Sequence, residues 1–217
     1  MDGTFYVSPH HFVQLYSIHA MKYGQMFPLV YSFLPNKQEV TYRRMFNQLQ
    51  DSMQTRGILL PDNLICQMDF ETAAMNAARS ILLADIRGCY FHFGQAIWRK
   101  AVEHGLKIPY SNPDDTRVAR LVRRAGVLPL IPLDQMDNCW IRAMEDAPTE
   151  VPGVQGFMNY VTETWVEDIN PRFSRDIWNH FDNNGPRTTN HLEGWHRGLN
   201  LEMARAHPNI FEAIQVN

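Results

Sequence analysis

Leu64-Ile65-Cys66-Gln67-Met68 is a short, nearly unbroken apolar run that stops at Asp69. A strand spelled this way has no solvated face, so it predicts a sheet position covered on both sides. Glu71 to Leu83 supplies one covering helix, with Ala74, Ala77, Ala78, Ile81 and Leu82 on its inward face. Asp69 then stands at the carboxyl end of the strand, where ligands collect in open sheets of this kind. The same carboxylate could instead cap the helix that follows. The two roles compete, and sequence alone favours the cap.

Around this centre the chain reads as an α/β fold. His10 to His19 and Met26 to Phe33 are strand candidates joined at Gly24-Gln25, and Pro28 confines the second to a sheet edge because it cannot donate to a ladder. The simplest arrangement is an antiparallel meander starting from a strand at Asp2. Met1 is followed at once by Asp2, so the first strand is expected to be truncated, leaving Asp2 on a mobile tail and any activity weak or absent. Gln38 to Arg56 reads as a helix closed by Gly57, and Ile86 to Phe91 as a fifth strand running into a helix that ends at His104-Gly105. Adjacent residues on a strand point to opposite faces, so His10-His11 makes a poor metal pair.

Beyond Ile108 the strand signals stop. Short helices around 115–125, 134–144, 156–168 and 174–181 are separated by prolines up to Pro186, which predicts a helical insertion at 108–186 between parts at 1–107 and 187–217. Arg117, Arg120, Arg123 and Arg124 form its one concentrated basic face, with Trp140, Trp165 and Trp178 nearby in sequence. A net charge of -3 argues against a free-standing nucleic-acid binder, so any DNA contact is expected to be local, first of all on that face. Three widely spaced cysteines suit reduced thiols, and no apolar run reaches the roughly 18 residues of a membrane span. A nuclear or cytoplasmic setting is expected, with no membrane association.

Arg187 to Asn200 reads as a loop entering a helix, since Thr188, Thr189 and Asn190 are N-cap types and Leu192, Trp195 and Leu199 follow at helical spacing. Glu193, His196 and Arg197 are expected on its polar face. Glu193 alone could be a dipole-compensating surface residue. With Asp2 and Asp69 it completes three carboxylates on separated elements, the donor set for two divalent metals over a phosphodiester.

The order Asp2-Gly3-Thr4-Phe5, Asp69-Phe70-Glu71, Cys89-x-x-His92, Asn190-x-x-Glu193-Gly194-x-His196-Arg197 resembles the transposase domain of Mutator-like elements, a branch of the ribonuclease-H-like DDE enzymes. The resemblance implies a ribonuclease-H-like mixed sheet flanked by helices, with a helical insertion before the last catalytic helix. It implies Asp2, Asp69 and Glu193 as catalytic metal ligands for Mg2+ or Mn2+, with Asp2 bridging both ions, and Cys89, His92, Asn190 and His196 as supporting motif residues. The implied partners are DNA at transposon ends and a second copy in a homodimer. A packing and hydrogen-bonding role for Cys89 and His92 is preferred to zinc, because no second ligand pair is found. Glu193-x-x-His196 also spells half of a di-iron motif, but no second copy exists. The alternative to an active nuclease is a truncated or domesticated copy: an inactive ribonuclease-H-like binding or scaffold module.

Overall fold

The computed structural model describes residues 1–167, 169, 171–203 and 206–216. It is a mixed α/β structure that divides into two units, one of Met1–Arg87 with Thr188–Asn217 and one of Gly88–Arg187.

In the first unit, β1 (Asp2–Thr4), β2 (Gln14–Lys22) and β3 (Gln25–Leu34) form an antiparallel meander in that order. β3 is the edge strand, as Pro28 requires. The ladder slips between Ile18 and His19, pairing Ile18 with Val30 and His19 with Pro28, so the missing donor falls at a bulge. β2 starts four residues later than the apolar pattern suggests. Ser8 and Pro9 begin a turn instead, closed by the Phe12 amide on the Pro9 carbonyl at 2.8 Å. β4 (Ile65–Met68) and β5 (Asp85–Gly88) make a second, two-stranded ladder. The Met1 nitrogen donates to the Gln67 carbonyl at 2.8 Å, so β1 starts beside β4.

Directly opposed residues share a face. Asp2 faces Ser17 and Thr4 faces Leu15 on one side of the meander, while Gly3 faces Tyr16 on the other. The Gly3 side meets α1 (Glu39–Thr55): Tyr42 packs edge-on against Tyr16 at 5.2 Å and accepts a hydrogen bond from Gln14. A Cβ on Gly3 would meet Gln14 Oε1, so a side chain there would require the Gln14 amide to move. α1 in turn packs on α2 (Thr72–Ile81), where Gln50 donates to the Ile81 carbonyl at 2.6 Å. The Asp2 side buries Leu15 and Val7 against Leu199 of a helix at Asn190–Glu202, Met203 just after it, and Ala213 of a helix at Ile210–Val216.

The second unit is helical. Its elements are α3 (Tyr90–Glu103), α4 (Lys107–Tyr110), α5 (Arg117–Val127), α6 (Met136–Glu145), α7 (Val154–Val161, extended by a π turn over Thr162–Val166) and α8 (Arg175–Trp178). The helices ending the first unit are then α9 and α10. The strand expected over 86–91 stops at Gly88, because Tyr90 already begins a helix whose Phe93, Ile97 and Ala101 are buried at helical spacing. Trp140, Trp165 and Trp178 are at most 2% exposed, with Trp178 stacked on Phe93 at 5.3 Å. They form core, and offer no surface beside the arginines. Among the described residues no helix is long and apolar enough to cross a membrane.

Candidate active site

Asp2 is 7% exposed and paired into β1, which overturns the expectation of a frayed tail. A buried carboxylate is costly unless each oxygen is compensated. Oδ1 accepts the Gly3 amide at 2.8 Å, and Oδ2 stands 3.6 Å from Nδ1 of His196. The far ring nitrogen of that histidine, Nε2, lies 3.0 Å from the Ser17 hydroxyl. Burial lowers the His196 pKa, and the Asp2 charge acts in the opposite direction.

This corrects the assignment of His196 to a polar face. Leu192, His196 and Leu199 are the buried residues of α9, at spacings of four and three, so the imidazole sits on the packed stripe with the leucines. Trp195 is half-buried at its margin, stacked on Tyr31 at 5.3 Å and edge-on to His19 at 5.0 Å. Arg197 is exposed. Glu193 is half-buried in the first turn of α9, three residues before His196, and its amide donates to the Thr189 carbonyl at 3.2 Å. Thr189 holds the N-cap position without a side-chain cap, and Asn190 is the exposed first helical residue.

Asp69 follows β4 directly and is half-buried. Asp69 does not hold the N-cap position of α2, which falls at Glu71. Glu71 is engaged elsewhere, accepting from the Tyr42 hydroxyl at 2.5 Å and from Lys37 at 3.0 Å. Between Asp69 and Asp2 lies Tyr16 in electrostatic terms. Its phenol is 1% exposed and its hydroxyl has no hydrogen-bond partner. Burial pushes its pKa well up, followed by the charge of Asp69, then Tyr42, Asp2 and Glu71. Both aspartates therefore act on one buried hydroxyl.

The structure thus brings Asp2 to His196, while Asp2 and Asp69 both raise the pKa of the buried Tyr16 phenol through their charge. Among the described residues no three His, Cys, Asp or Glu side chains stand close enough to hold one metal ion. The donor chemistry nonetheless suits magnesium or manganese, since Asp2, Asp69 and Glu193 offer only hard carboxylate oxygens. Ser17, Tyr16 and Gln14 escaped the reading of the sequence. The signal available was three polar-bearing residues inside an otherwise apolar strand, Gln14, Tyr16 and Ser17, all buried.

Cys89 and His92 belong to the helical unit. Cys89 is buried at the N-cap of α3, and His92 is half-buried in its first turn beside Phe91, with ring centroids 5.8 Å apart. The expected basic face is partly neutralised. Arg117 pairs with Asp115 and Glu150, each at 2.8 Å, and Arg124 with Asp146 at 2.6 Å. Arg123 lies over the Tyr110 ring, and Arg120 is exposed.

No match is found among curated proteins or among solved structures. The family model described as the MULE transposase domain matches residues 1–96, a span that holds Asp2, Asp69, Cys89 and His92 and ends before Glu193. By that match, residues 1–96 are similar to the MULE transposase domain.

Proposed function

We propose that the chain is the catalytic domain of a Mutator-like transposase, cutting DNA at transposon ends and joining the cut strand to a new site. The observation that carries this reading is the family match over residues 1–96, which takes in Asp2, buried in β1, and Asp69, directly after β4. In this reading residues 1–107 and 187–217 form a ribonuclease-H-like core around a helical insertion at 108–186, and the protein acts on DNA in the nucleus, as a homodimer.

Asp2, Asp69 and Glu193 would hold Mg2+ or Mn2+. When bound, two such ions activate the attacking water or 3′-hydroxyl and stabilise the leaving oxygen. The protein's own part is orientation. The Gly3 amide fixes Asp2 Oδ1, and α9 carries Glu193 three residues before His196, whose Nδ1 lies 3.6 Å from Asp2 Oδ2. Arg120 and Arg123 are the members of the basic face without an ion pair of their own among the described residues, and they would contact phosphates.

A second reading is favoured by one observation. Both Asp2 oxygens already face protein groups, the Gly3 amide and His196, an arrangement that is complete without a cation. The chain would then be an inactive ribonuclease-H-like binding or scaffold module. Nicking of supercoiled plasmid in Mg2+ or Mn2+ separates the two. The transposase reading expects ion-dependent nicking that falls by about a hundredfold or more in Asp69→Asn. Activity indifferent to that substitution, or none in the unaltered chain, supports the second reading.

A further inference from the structure

His196 is a buried polar residue at the junction of two elements that have to be held in register. α9 carries Glu193, β1 carries Asp2, and His196 lies three residues along the helix from the first and 3.6 Å from the second. Residues three apart on a helix keep their Cβ atoms about 5–6 Å apart, so wherever His196 is pinned, Glu193 follows. The pin has a second anchor. Ser17 is fully buried, lies directly across from Asp2 in the ladder, and puts its hydroxyl 3.0 Å from His196 Nε2. Its alternative acceptor, the Asp2 carbonyl at 3.4 Å, is farther away. In the tautomer that lets the shorter contact take the Ser17 proton, Ser17 donates to Nε2 and the ring proton sits on Nδ1, aimed at Asp2 Oδ2; the other tautomer has Nε2 donate to Ser17, whose proton then goes to the Asp2 carbonyl. At 3.6 Å that contact is just beyond hydrogen-bond length, so a small ring movement closes or releases it.

We infer that His196, braced by Ser17, is a positioning residue that registers α9 on β1 and thereby sets the reach between Glu193 and Asp2. This rests on the transposase reading for its purpose, though the contact itself does not. A merely apolar filler would do for packing, since Leu192 and Leu199 supply the buried surface on either side. The imidazole adds direction: one nitrogen for the strand next to β1, the other for the carboxylate.

The test is Mn2+ binding, followed by the loss of the free-ion electron-spin signal, in the whole chain and in His196→Ala, His196→Asn, His196→Gln and Ser17→Ala, with unfolding midpoints measured alongside. An asparagine amide occupies the place of Nδ1, whereas a glutamine amide reaches the place of Nε2. His196→Ala is expected to weaken Mn2+ binding about 10–100-fold, His196→Asn to recover most of that, and His196→Gln to recover little. Ser17→Ala shifts binding in the same direction by less. Equal losses in the Asn and Gln variants, or losses that simply track the unfolding midpoint, overturn the inference. A second arm needs no metal: 15N shifts of the His196 ring in the unaltered chain should report a proton on Nδ1, and a proton on Nε2 alone overturns it. If the unaltered chain takes up no Mn2+, the two-ion reading fails, and the ring tautomer alone decides the role of His196.

Discussion

The sheet unit and the helical unit differ in degree in how they satisfy buried polar groups. In the helical unit each fully buried tryptophan has found an acceptor: Trp140 donates to Thr162 at 2.9 Å, Trp165 to Tyr160 at 3.2 Å and Trp178 to the Phe173 carbonyl at 3.3 Å. His180, fully buried, is tied at both ring nitrogens, to the Gly88 carbonyl at 2.8 Å and to Asn183 at 3.0 Å. In the sheet unit Gln14 Oε1, Tyr16 Oη, His19 Nε2 and Gln67 Nε2 are buried without a partner. Native interiors satisfy nearly all such atoms, and exceptions gather at sites kept for something other than stability. The contrast shows that most of these atoms lie in the unit that also holds Asp2, Asp69 and Glu193.

The largest expected effect tests the helical side. Trp178→Ala removes a fully buried indole stacked on Phe93 and edge-on to Trp165, and should cost about 3–5 kcal/mol of unfolding free energy in a denaturant titration. A loss under about 1 kcal/mol would break the claim that this core is tightly specified.

A smaller effect of opposite sign tests the sheet side. Tyr16→Phe removes a buried hydroxyl that nothing satisfies, so stability should be unchanged or rise by up to about 1 kcal/mol. Divalent-ion-dependent nicking should fall in the same variant, because the hydroxyl next to Asp69 and Asp2 is gone. Stability and activity falling together would mean Tyr16 is ordinary core.

The smallest effect is on pH dependence. Burial, followed by positive charge nearby, lowers the His19 pKa from 6.5 to about 4. The folded state therefore holds the ring neutral while the unfolded state takes up a proton between those values. Stability should fall as pH drops from 6.5 toward 4 and the contribution should level off below that. His19 is only half-buried, so solvent screens the effect. His19→Gln should flatten the urea midpoint between pH 6.5 and 5 relative to the unaltered chain. Parallel profiles would show that the ring is hydrated in the folded state.

Much of this was written in local patterns. β4 is the apolar run at 64–68 less one residue, though exposed Ile65 shows that it is not covered on both faces; the edge position of Pro28 follows from its missing donor, and the helix read over 38–56 spans Glu39–Thr55. Junctions were harder. Tyr90 and Phe91 favour strands by type, yet the buried spacing of Phe93, Ile97 and Ala101 draws them into a helix. The site was legible in its acidic residues and illegible in its support. Gln14, Tyr16, Ser17 and Tyr42 matter through cross-strand and cross-element register, which no single stretch of sequence encodes. His196 was legible in principle, since its spacing to Leu192 and Leu199 is that of the buried stripe.

The convergence of Asp2, Asp69 and Glu193 is the claim on which the functional account turns, and the stoichiometry of Mn2+ bound per chain measures it most directly. Two ions in the unaltered protein, with at least one lost in each of Asp2→Asn, Asp69→Asn and Glu193→Gln, is the predicted result. Mn2+ uptake that is unchanged by Glu193→Gln would contradict it, because the helix carboxylate would then stand apart from the two on the strands.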